Sequence, residues 1–481
     1  MSSSSTRYTD RVSSPPPPDV PCIPRGAVRR VLGVCVVSGV LALVGAGCAD
    51  RTVPVLPSAP HPIIIIDIDT LRADHLGCYG YHRATSPAID AFAGQSVLFE
   101  RAFSQAPNTP PSQTSILSGL YPSTHGMIED DDRVPEAVVT LAEALSAHGF
   151  VTAGFHDGGY MSATFKIGQG FELYESSQGQ GLARSGPEIM SWLNEHAHED
   201  FLLLIHTYDT HTPYAPPENY RELFLDGLDP PNPGFEPTTD VMEAIRLSVW
   251  TDEPRQLEAN DLEYARALYD GEIRFVDAWV GEFLELVREL GLDQRATIVF
   301  ISDHGEEFQE HGSVLHEKLY STVTRIPFMI RLPGGSPAHR VTEVVETIDL
   351  MPTLLDLVGA PHPEGLQGSS LVSLLAGEPP GDGLAFGESP FFGHRRFVAT
   401  GSHQLLLTKR TGEAELYDFV SDPRQQDDLA SAEPGMAQRL RSEILGWDER
   451  IAHQVVEPDH EGAELDPETE QQLKELGYIQ D

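Results

Sequence analysis

The chain has 481 residues and a formal net charge of −41, because 73 acidic residues stand against 32 basic ones. This length allows one large domain with an appendage, or two domains, with a full core. The acidic excess repels nucleic acid and anionic membrane surfaces at long range, which argues against both as partners. Three of the four cysteines (Cys22, Cys35, Cys48 and Cys78) precede residue 50, so the sequence offers no disulfide framework for the folded part.

The N-terminal region is predicted to be a targeting segment and not part of the fold. Residues 1–24 are rich in Ser and Pro and are expected to be a disordered extension. Residues 25–48 combine arginines, a short apolar run and small residues before Cys48, which resembles an export signal with a bacterial lipobox. A linker at 49–60 would follow. The prediction is an exported, periplasmic or cell-envelope lipoprotein that touches the membrane only through a lipid on Cys48; plain secretion and an uncleaved anchor are the alternatives.

Beyond residue 61, strand-like runs alternate with helical segments, which predicts an α/β fold with a largely parallel, mixed sheet sandwiched by helices. In chain order we predict strands at 63–66, 150–155, 201–206 and 296–302, and helices at 139–148 and 266–290. The β-branched run Ile63–Ile66 is typical of a central strand that is buried on both faces.

Two further regions depart from this alternation. The proline-containing stretch 225–260 is expected to be either a lid over a site or an inert surface loop. After about residue 383, short strands at 397–400 and 404–408 and a helix near 436–447 predict a small C-terminal α+β subdomain. The predicted domains are therefore a catalytic domain at 61–382 and a C-terminal subdomain at 383–481.

Polar residues whose side chains could bind a metal or take part in catalysis follow two of the predicted strands. Asp67 and Asp69 come at the end of the first strand, and Asp303 and His304 follow the strand at 296–302. Ligands of open α/β sheets bind at the carboxyl ends of strands, and these side chains could share a metal ion there. Helix capping by Asp67, Asp69 or Asp303 is the alternative for each pair taken alone.

A third cluster surrounds Thr109 and leads into a helix-like segment at 115–119. Prolines at 110 and 111 would fix the entry of the chain into the helix, and a helix N-terminus offers backbone N–H groups to an anion. The Thr109 hydroxyl could attack an ester whose oxygens rest on that terminus. Taken alone, the cluster indicates only an ordinary helix N-cap.

These clusters belong to a longer series of motifs, and together they resemble the sulfatase family of the alkaline phosphatase superfamily between residue 63 and about residue 371. The matching segments are Ile68–Gly80, Pro111-Ser112, Leu117–Pro122 with His125-Gly126, His211–Tyr214, Tyr269–Ile273, Ser302–Glu306 and Ile348–Thr353. Glu415–Asp418 with Asp422-Pro423 also resembles the C-terminal subdomain of the family.

The chain departs from the sulfatase pattern at the attacking residue. Sulfatases carry Cys-x-Pro-Ser-Arg, whose cysteine becomes formylglycine, whereas Thr109 and Gln113 stand at the ends of this motif here. Formylglycine therefore cannot form. Superfamily phosphatases, phosphodiesterases and phospho-group transferases use Thr or Ser at this place, so the resemblance implies Thr109 as nucleophile. Ser112 and Gln113 would bind the anion, and a neutral Gln113 suits a phosphate diester or a sulfate monoester better than a phosphate monoester.

The implied metal ligands also differ from those of sulfatases, which present only oxygens. Asp69, Asp303 and His304 stand at the matching positions and would bind one or two divalent ions. Whether Asp67 is a further ligand stays open. An imidazole ligand favours zinc or manganese over calcium. His316, thirteen residues after Asp303, replaces a lysine found in many family members. Together with His211 it would steady the transferred group or protonate the leaving group.

The resulting prediction is an exported, metal-dependent ester hydrolase with a threonine nucleophile. Its substrate would be a small-molecule, glycan or lipid ester of sulfate or, more in keeping with Thr109, of phosphate. Two alternatives are a phospho-group transferase of the same superfamily and a non-catalytic lipoprotein that binds a glycan or a partner.

Overall fold

A computed structural model of the protein describes residues 56, 59–129, 131–251, 253–335, 338–378, 381, 383–457 and 462–479. The predicted extension, export signal and Cys48 lie outside the described residues. Within these ranges, no helix combines the length and the apolar character needed to cross a membrane.

A mixed eight-stranded sheet forms the centre of the fold, in the order β10-β2-β9-β6-β1-β5-β3-β4. Its strands are β1 (Ile63–Ile68), β2 (Val97–Phe103), β3 (Val151–His156), β4 (Leu173–Ser176), β5 (Phe201–Thr207), β6 (Thr297–Ile301), β9 (Arg325–Arg331) and β10 (His339–Glu346). Only β9 runs against its neighbours in this sheet. A two-stranded ribbon, β7 (Glu307–Phe308) and β8 (Val314–Leu315), lies between β6 and β9 in the chain. The predicted largely parallel, mixed sheet is confirmed.

The central strand β1 shows how the sequence produces this sheet. It pairs in parallel with β5 on one side and β6 on the other. Ile63 and Ile65 pack into the core on one face, whereas Ile64 and Ile66 pack into the core on the other. Full burial of one such side chain is worth about 1.5–3 kcal/mol. An unbroken β-branched run is therefore stable only between two helical layers.

The helices cover both faces of the sheet and connect its strands. In chain order they are α1 (Pro87–Ala93), α2 (Thr109–Ser118), α3 (Pro122–His125), α4 (Leu141–Ala147), α5 (Gly181–His196), α6 (Glu218–Arg221), α7 (Thr239–Ser248), α8 (Ala259–Glu289), α9 (Ser321–Thr324), α10 (Leu350–Val358), α11 (Val372–Leu375), α12 (Phe391–His394), α13 (Pro434–Ile451) and α14 (Pro467–Glu475). The stretch predicted to be a lid or a loop contains α7, whose Arg246 pairs with Glu317.

A second, antiparallel sheet follows, as predicted. It consists of β11 (Ala385–Ser389), β12 (Arg395–Ala399), β13 (His403–Thr408) and β14 (Ala414–Asp418). Leu405, Leu407 and Leu416 from this sheet share a small core with Leu440 and Trp447 of α13. The fold class is therefore the one expected for a sulfatase-like chain.

Candidate active site

The candidate active site lies where β1, β5 and β6 end. Because these neighbouring strands are parallel, their carboxyl ends meet at one edge of the sheet. Asp67 of β1 pairs in register with His206 of β5. Asp69 follows β1 directly, and Asp303 follows β6 after Ser302. All four side chains are buried. The topology thus brings together groups from three separate parts of the sequence.

The chain turns sharply after Asp69, and the turn is held by hydrogen bonds. Thr70 has φ = 54°, which is strained for a β-branched residue and occurs mainly where the surroundings enforce it. Its hydroxyl donates to the carbonyl of Thr210 at 2.9 Å. The backbone N–H of Asp69 donates to the carbonyl of Thr207 at 3.1 Å. These contacts fix the backbone at Asp69 and hold the Thr70 hydroxyl against the carbonyl of Thr210.

Thr109 is the first residue of α2, and its buried hydroxyl points toward the same groups. The hydroxyl oxygen lies 3.1 Å from Oδ1 of Asp69, to which it donates, and 3.4 Å from Nε2 of His304. Nδ1 of His304 donates to the carbonyl of Gly305 at 3.0 Å. In the neutral ring Nε2 is therefore an acceptor, and it faces the Thr109 hydroxyl. Two possible proton acceptors thus lie beside one alcohol.

Asp69, His206 and Asp303 form a candidate metal site. One ligand atom from each lies within 4.8 Å of those from the other two. Oδ2 of Asp69 and both ring nitrogens of His206 have no hydrogen-bond partner among the described residues, although they are buried. Burial and the charge of Asp303 raise the pKa of Asp69 well above its ordinary value. Unpaired buried groups and crowded carboxylates are both relieved by a bound cation.

The other predicted metal residues lie around this group. Nε2 of His304 is 3.5 Å from Oδ2 of Asp303 and 3.7 Å from Oδ1 of Asp69. Asp67 accepts a hydrogen bond from the Gln113 amide at 2.7 Å on one oxygen, while its Oδ1 has no partner within the described part of the chain. Burial, reinforced by Asp303, raises the pKa of Asp67 well above its ordinary range. His304 therefore lies beside the group, and the metal-ligand roles of His304 and Asp67 stay predictions.

Ser112 and Gln113, predicted to hold the substrate anion, make contacts within the protein. The Ser112 hydroxyl lies 2.8 Å from the carbonyl of Asn108 and 3.3 Å from Oδ2 of Asp303. The Gln113 amide donates to Asp67. Both side chains are buried, and their anion-binding role stays a prediction.

The expected anion-binding helix N-terminus requires a correction. The helix begins at Thr109 and not near residue 115, because proline is compatible with the first helical turn. Pro110 and Pro111 therefore occupy the second and third helical positions, where they have no N–H to donate. The next N–H, that of Ser112, donates to the carbonyl of Asn108 at 3.2 Å. Thr109 alone retains a backbone N–H among the first three residues of α2.

His211 and His316 lie side by side at a small cavity next to Thr109. Their ring centroids are 5.0 Å apart, and both rings line a cavity of about 80 Å³ that Asn108 also borders. Burial lowers the pKa of His211 to about 3 and lowers that of His316 well below its ordinary value, so both rings are neutral. Nδ1 of His316 lies 3.4 Å from Oε1 of Glu306.

The structure adds two residues that the sequence interpretation did not assign. His206 ends the predicted strand 201–206, and the clustering of polar groups at strand ends could have identified it. Tyr478 lies beyond α14, and its hydroxyl is 2.9 Å from Nε2 of His211 and 3.2 Å from Nε2 of His316. No motif of the sequence interpretation pointed to Tyr478.

Comparisons with known proteins agree with this architecture. The sulfatase family model matches residues 61–360, and a model of the C-terminal region of N-sulphoglucosamine sulphohydrolase matches residues 309–445. An ulvan-active sulfatase from Formosa agariphila is 26% identical over 415 residues, which cover 78% of this chain and 77% of that protein. An arylsulfatase from Clostridium perfringens is 25% identical over 455 residues, which cover 77% and 90% of the two chains.

Solved structures show the same fold. A phosphonate monoester hydrolase from Silicibacter pomeroyi superposes with a TM-score of 0.67 at 21% identity, covering 85% of this chain and 99% of that one. A 2-O glycosaminoglycan sulfatase superposes with a TM-score of 0.67 at 19% identity, covering 84% and 95%. Motif order, sheet topology and the family match over most of the chain lead to one conclusion: this protein belongs to the sulfatase family of the alkaline phosphatase superfamily and is a hydrolase of that family.

Proposed function

We propose that the protein is a metal-dependent ester hydrolase in which Thr109 is the nucleophile. The observation that carries this proposal is the position of the Thr109 hydroxyl, which is buried 3.1 Å from Asp69 and 3.4 Å from His304. A buried hydroxyl that faces two possible proton acceptors is the arrangement that nucleophilic catalysis requires. Thr109 also stands where sulfatases carry the formylglycine cysteine.

The residues present fit a divalent cation. Asp69, His206 and Asp303 would hold it, with His304 and Asp67 alongside. This mixture of carboxylates and imidazole suits zinc or manganese better than calcium. A bound divalent ion would lower the pKa of a coordinated alcohol and polarise the ester.

Residues at the site account for each bond and each proton of the proposed covalent step. The Thr109 oxygen forms a bond to phosphorus or sulfur while its proton passes to Asp69 or to Nε2 of His304. The bond to the leaving alcohol breaks, and that oxygen takes up the proton that Thr109 released, which the neutral His211 and His316 rings at the neighbouring cavity relay. Water then attacks the Thr109 ester, which releases the acid and restores the hydroxyl.

The site favours phosphate diesters and phosphonate or sulfate monoesters over phosphate monoesters. Gln113 is neutral and donates to Asp67, and the two prolines deprive the start of α2 of N–H donors. A site with few positive groups or donors compensates a singly charged ester better than a dianion. The phosphonate monoester hydrolase among the similar structures is consistent with this substrate class.

A substrate panel tests the function. Aryl sulfate, phosphate monoester, phosphate diester and phosphonate monoester would be assayed with Mn²⁺, Zn²⁺ and Ca²⁺ on wild type and Thr109→Ala. The matched control is Thr114→Ala, because Thr114 lies on the same helix but donates to the carbonyl of Pro110 at 2.8 Å. We expect activity in wild type and control only. Full activity in Thr109→Ala would refute the nucleophile, and absence of both activity and bound metal in wild type would favour a binding module.

A second panel distinguishes hydrolysis from group transfer. Wild type would be assayed with increasing concentrations of an added alcohol, and the products would be separated. We expect the free acid as the main product. A transferred ester as the main product would favour the transferase alternative.

We also propose that the protein is exported and lipidated on Cys48, on the basis of the lipobox-like sequence alone. Metabolic labelling with a fatty acid should mark wild type and not Cys48→Ala. Equal labelling of the two proteins would contradict lipidation at this residue.

A further inference from the structure

We propose that Tyr478 is a positioning residue of the active site, whose hydroxyl bridges His211 and His316 and fixes the two rings in opposite tautomers. This inference rests on the proposed function, since it assigns a part to the two histidines of the same site. It goes beyond that function because Tyr478 belongs to a segment outside every motif that the resemblance includes.

The segment 466–479 is built to hold Tyr478 in place. The Asp466 side chain caps α14 by accepting from the N–H groups of Glu468 and Thr469. At the other end, the N–H of Tyr478 donates to the carbonyl of Leu473 at 2.8 Å and that of Gly477 donates to the carbonyl of Lys474 at 3.1 Å. These two bonds form a Schellman motif, which requires the left-handed conformation of Gly477, φ = 87°. A short helix with defined ends therefore presents the tyrosine.

Three further contacts attach this segment to the catalytic part of the protein. The side-chain carbonyl of Gln472 accepts from the N–H of Gly159 at 2.8 Å. The hydroxyl of Thr239, at the start of α7, donates to the carbonyl of Glu475 at 2.8 Å. The ring of Tyr478 lies edge-on against that of Tyr160, with centroids 4.6 Å apart. The Tyr478 side chain is therefore held against the site by packing and by hydrogen bonds of its segment.

Counting hydrogen-bond donors and acceptors determines which ring nitrogen of each histidine carries the proton. Nδ1 of His211 faces the carbonyl of Thr212 at 2.7 Å, so it carries the proton and leaves Nε2 as an acceptor. The Tyr478 hydroxyl therefore donates to Nε2 of His211. A phenol has one proton only, so its second contact requires His316 to donate from Nε2. Nδ1 of His316, which lies 3.4 Å from Oε1 of Glu306, is then the acceptor of that ring.

The arrangement has a consequence for the reaction. Leu476 of this segment lines two cavities at the site, one of about 480 Å³ and the other of about 80 Å³. His211 lines both cavities as well. Without the hydroxyl, the described residues offer no hydrogen-bond acceptor to Nε2–H of His316 and no donor to Nε2 of His211, so both rings can change tautomer. We expect misplacement of these groups to lower kcat by about 10-fold to 100-fold.

Tyr478→Phe tests the proposal, because phenylalanine keeps the ring and removes the hydroxyl. The matched control is Tyr79→Phe, which removes a tyrosine hydroxyl that donates to the carbonyl of Phe99 at 3.0 Å. Nitrogen-15 spectra of histidine-labelled protein, assigned with His211→Gln and His316→Gln, report the tautomers directly. We expect mixed tautomers at both histidines and a kcat reduced about 10-fold to 100-fold in Tyr478→Phe. The KM of this variant, and all signals of the control, should stay close to wild type.

Unchanged histidine spectra together with an unchanged kcat in Tyr478→Phe would overturn the proposal. A fall in kcat with wild-type histidine spectra would also overturn it, because the tyrosine would then act in another way. If wild type cleaves no ester of the panel, the proposed function fails by itself. The nitrogen spectra still decide the tautomer assignment in that case.

Discussion

Replacing His206 by phenylalanine tests the candidate metal site at a residue with few other contacts. The His206 side chain is buried, and neither ring nitrogen has a hydrogen-bond partner among the described residues. Its ring lies edge-on to that of Tyr208, with centroids 4.9 Å apart. Phenylalanine keeps this packing contact and removes both nitrogens. The variant should therefore fold and bind a divalent ion more weakly.

The size of the effect follows from mass action. A ligand present at 100 times its Kd stabilises the folded state by about 2.7 kcal/mol. Removing one of the three grouped ligands should weaken binding by about 100-fold or more, because even residues that only support a ligand reach that value. At the same metal concentration the variant would gain about 0.4 kcal/mol. About 2.3 kcal/mol of metal-dependent stability should thus be lost.

Urea unfolding in EDTA and in Mn²⁺ or Zn²⁺ measures this gain, and metal content of the purified proteins provides an independent readout. The matched control is His61→Phe, which replaces a buried histidine just before β1, where Nε2 of His61 lies 2.8 Å from the Thr297 hydroxyl. The control should keep the full metal-dependent gain even if its overall stability falls. An equal gain in His206→Phe and wild type would refute the ligand assignment.

Two further predictions concern Asp67 and Gly477. In metal-free protein, Asp67→Asn should gain stability relative to wild type as the pH rises above about 4, because burial raises the folded-state pKa of Asp67 and its ionisation then favours the unfolded chain. Urea unfolding at about pH 5 and about pH 8 checks this, and the same stability difference at both values would contradict it. Gly477→Ala should lower both stability and kcat, because a Cβ on this left-handed residue would lie 2.6 Å from Cγ2 of Thr239 and displace Tyr478. The control is Gly435→Ala, because a Cβ at Gly435 would lie in open space. Equal kcat values in Gly477→Ala and Gly435→Ala would contradict the predicted strain at Gly477.

The scaffold could be predicted from sequence because local pattern and global fold agree there. Ile63–Ile66 reads as a strand buried on both faces, and β1 is the strand between β5 and β6. The polar residues after two predicted strands lie together at one edge of the sheet, as parallel pairing requires. The convergence of Asp69, Thr109 and Asp303 was therefore within reach of sequence reasoning.

Other parts of the site depend on three-dimensional context. His206 ends the predicted strand 201–206, but a single histidine after an apolar run is ordinarily a satisfied core residue. Its register with Asp67 places it at the site. Tyr478 reaches the histidines through tertiary packing of α14, which no periodicity reveals. The start of α2 was misplaced because two consecutive prolines suggest a boundary, although they are compatible with a first helical turn.

Capture of a covalent intermediate is the most direct test of the Thr109 assignment. Wild type would be mixed with an ester that it cleaves, quenched with acid within the first turnovers, digested and mapped by mass spectrometry. We expect a phosphoryl or sulfuryl group on Thr109 that appears at the rate of the first turnover and is absent from Thr109→Ala. Turnover in wild type with an unmodified Thr109, or with the group on another residue, would contradict it.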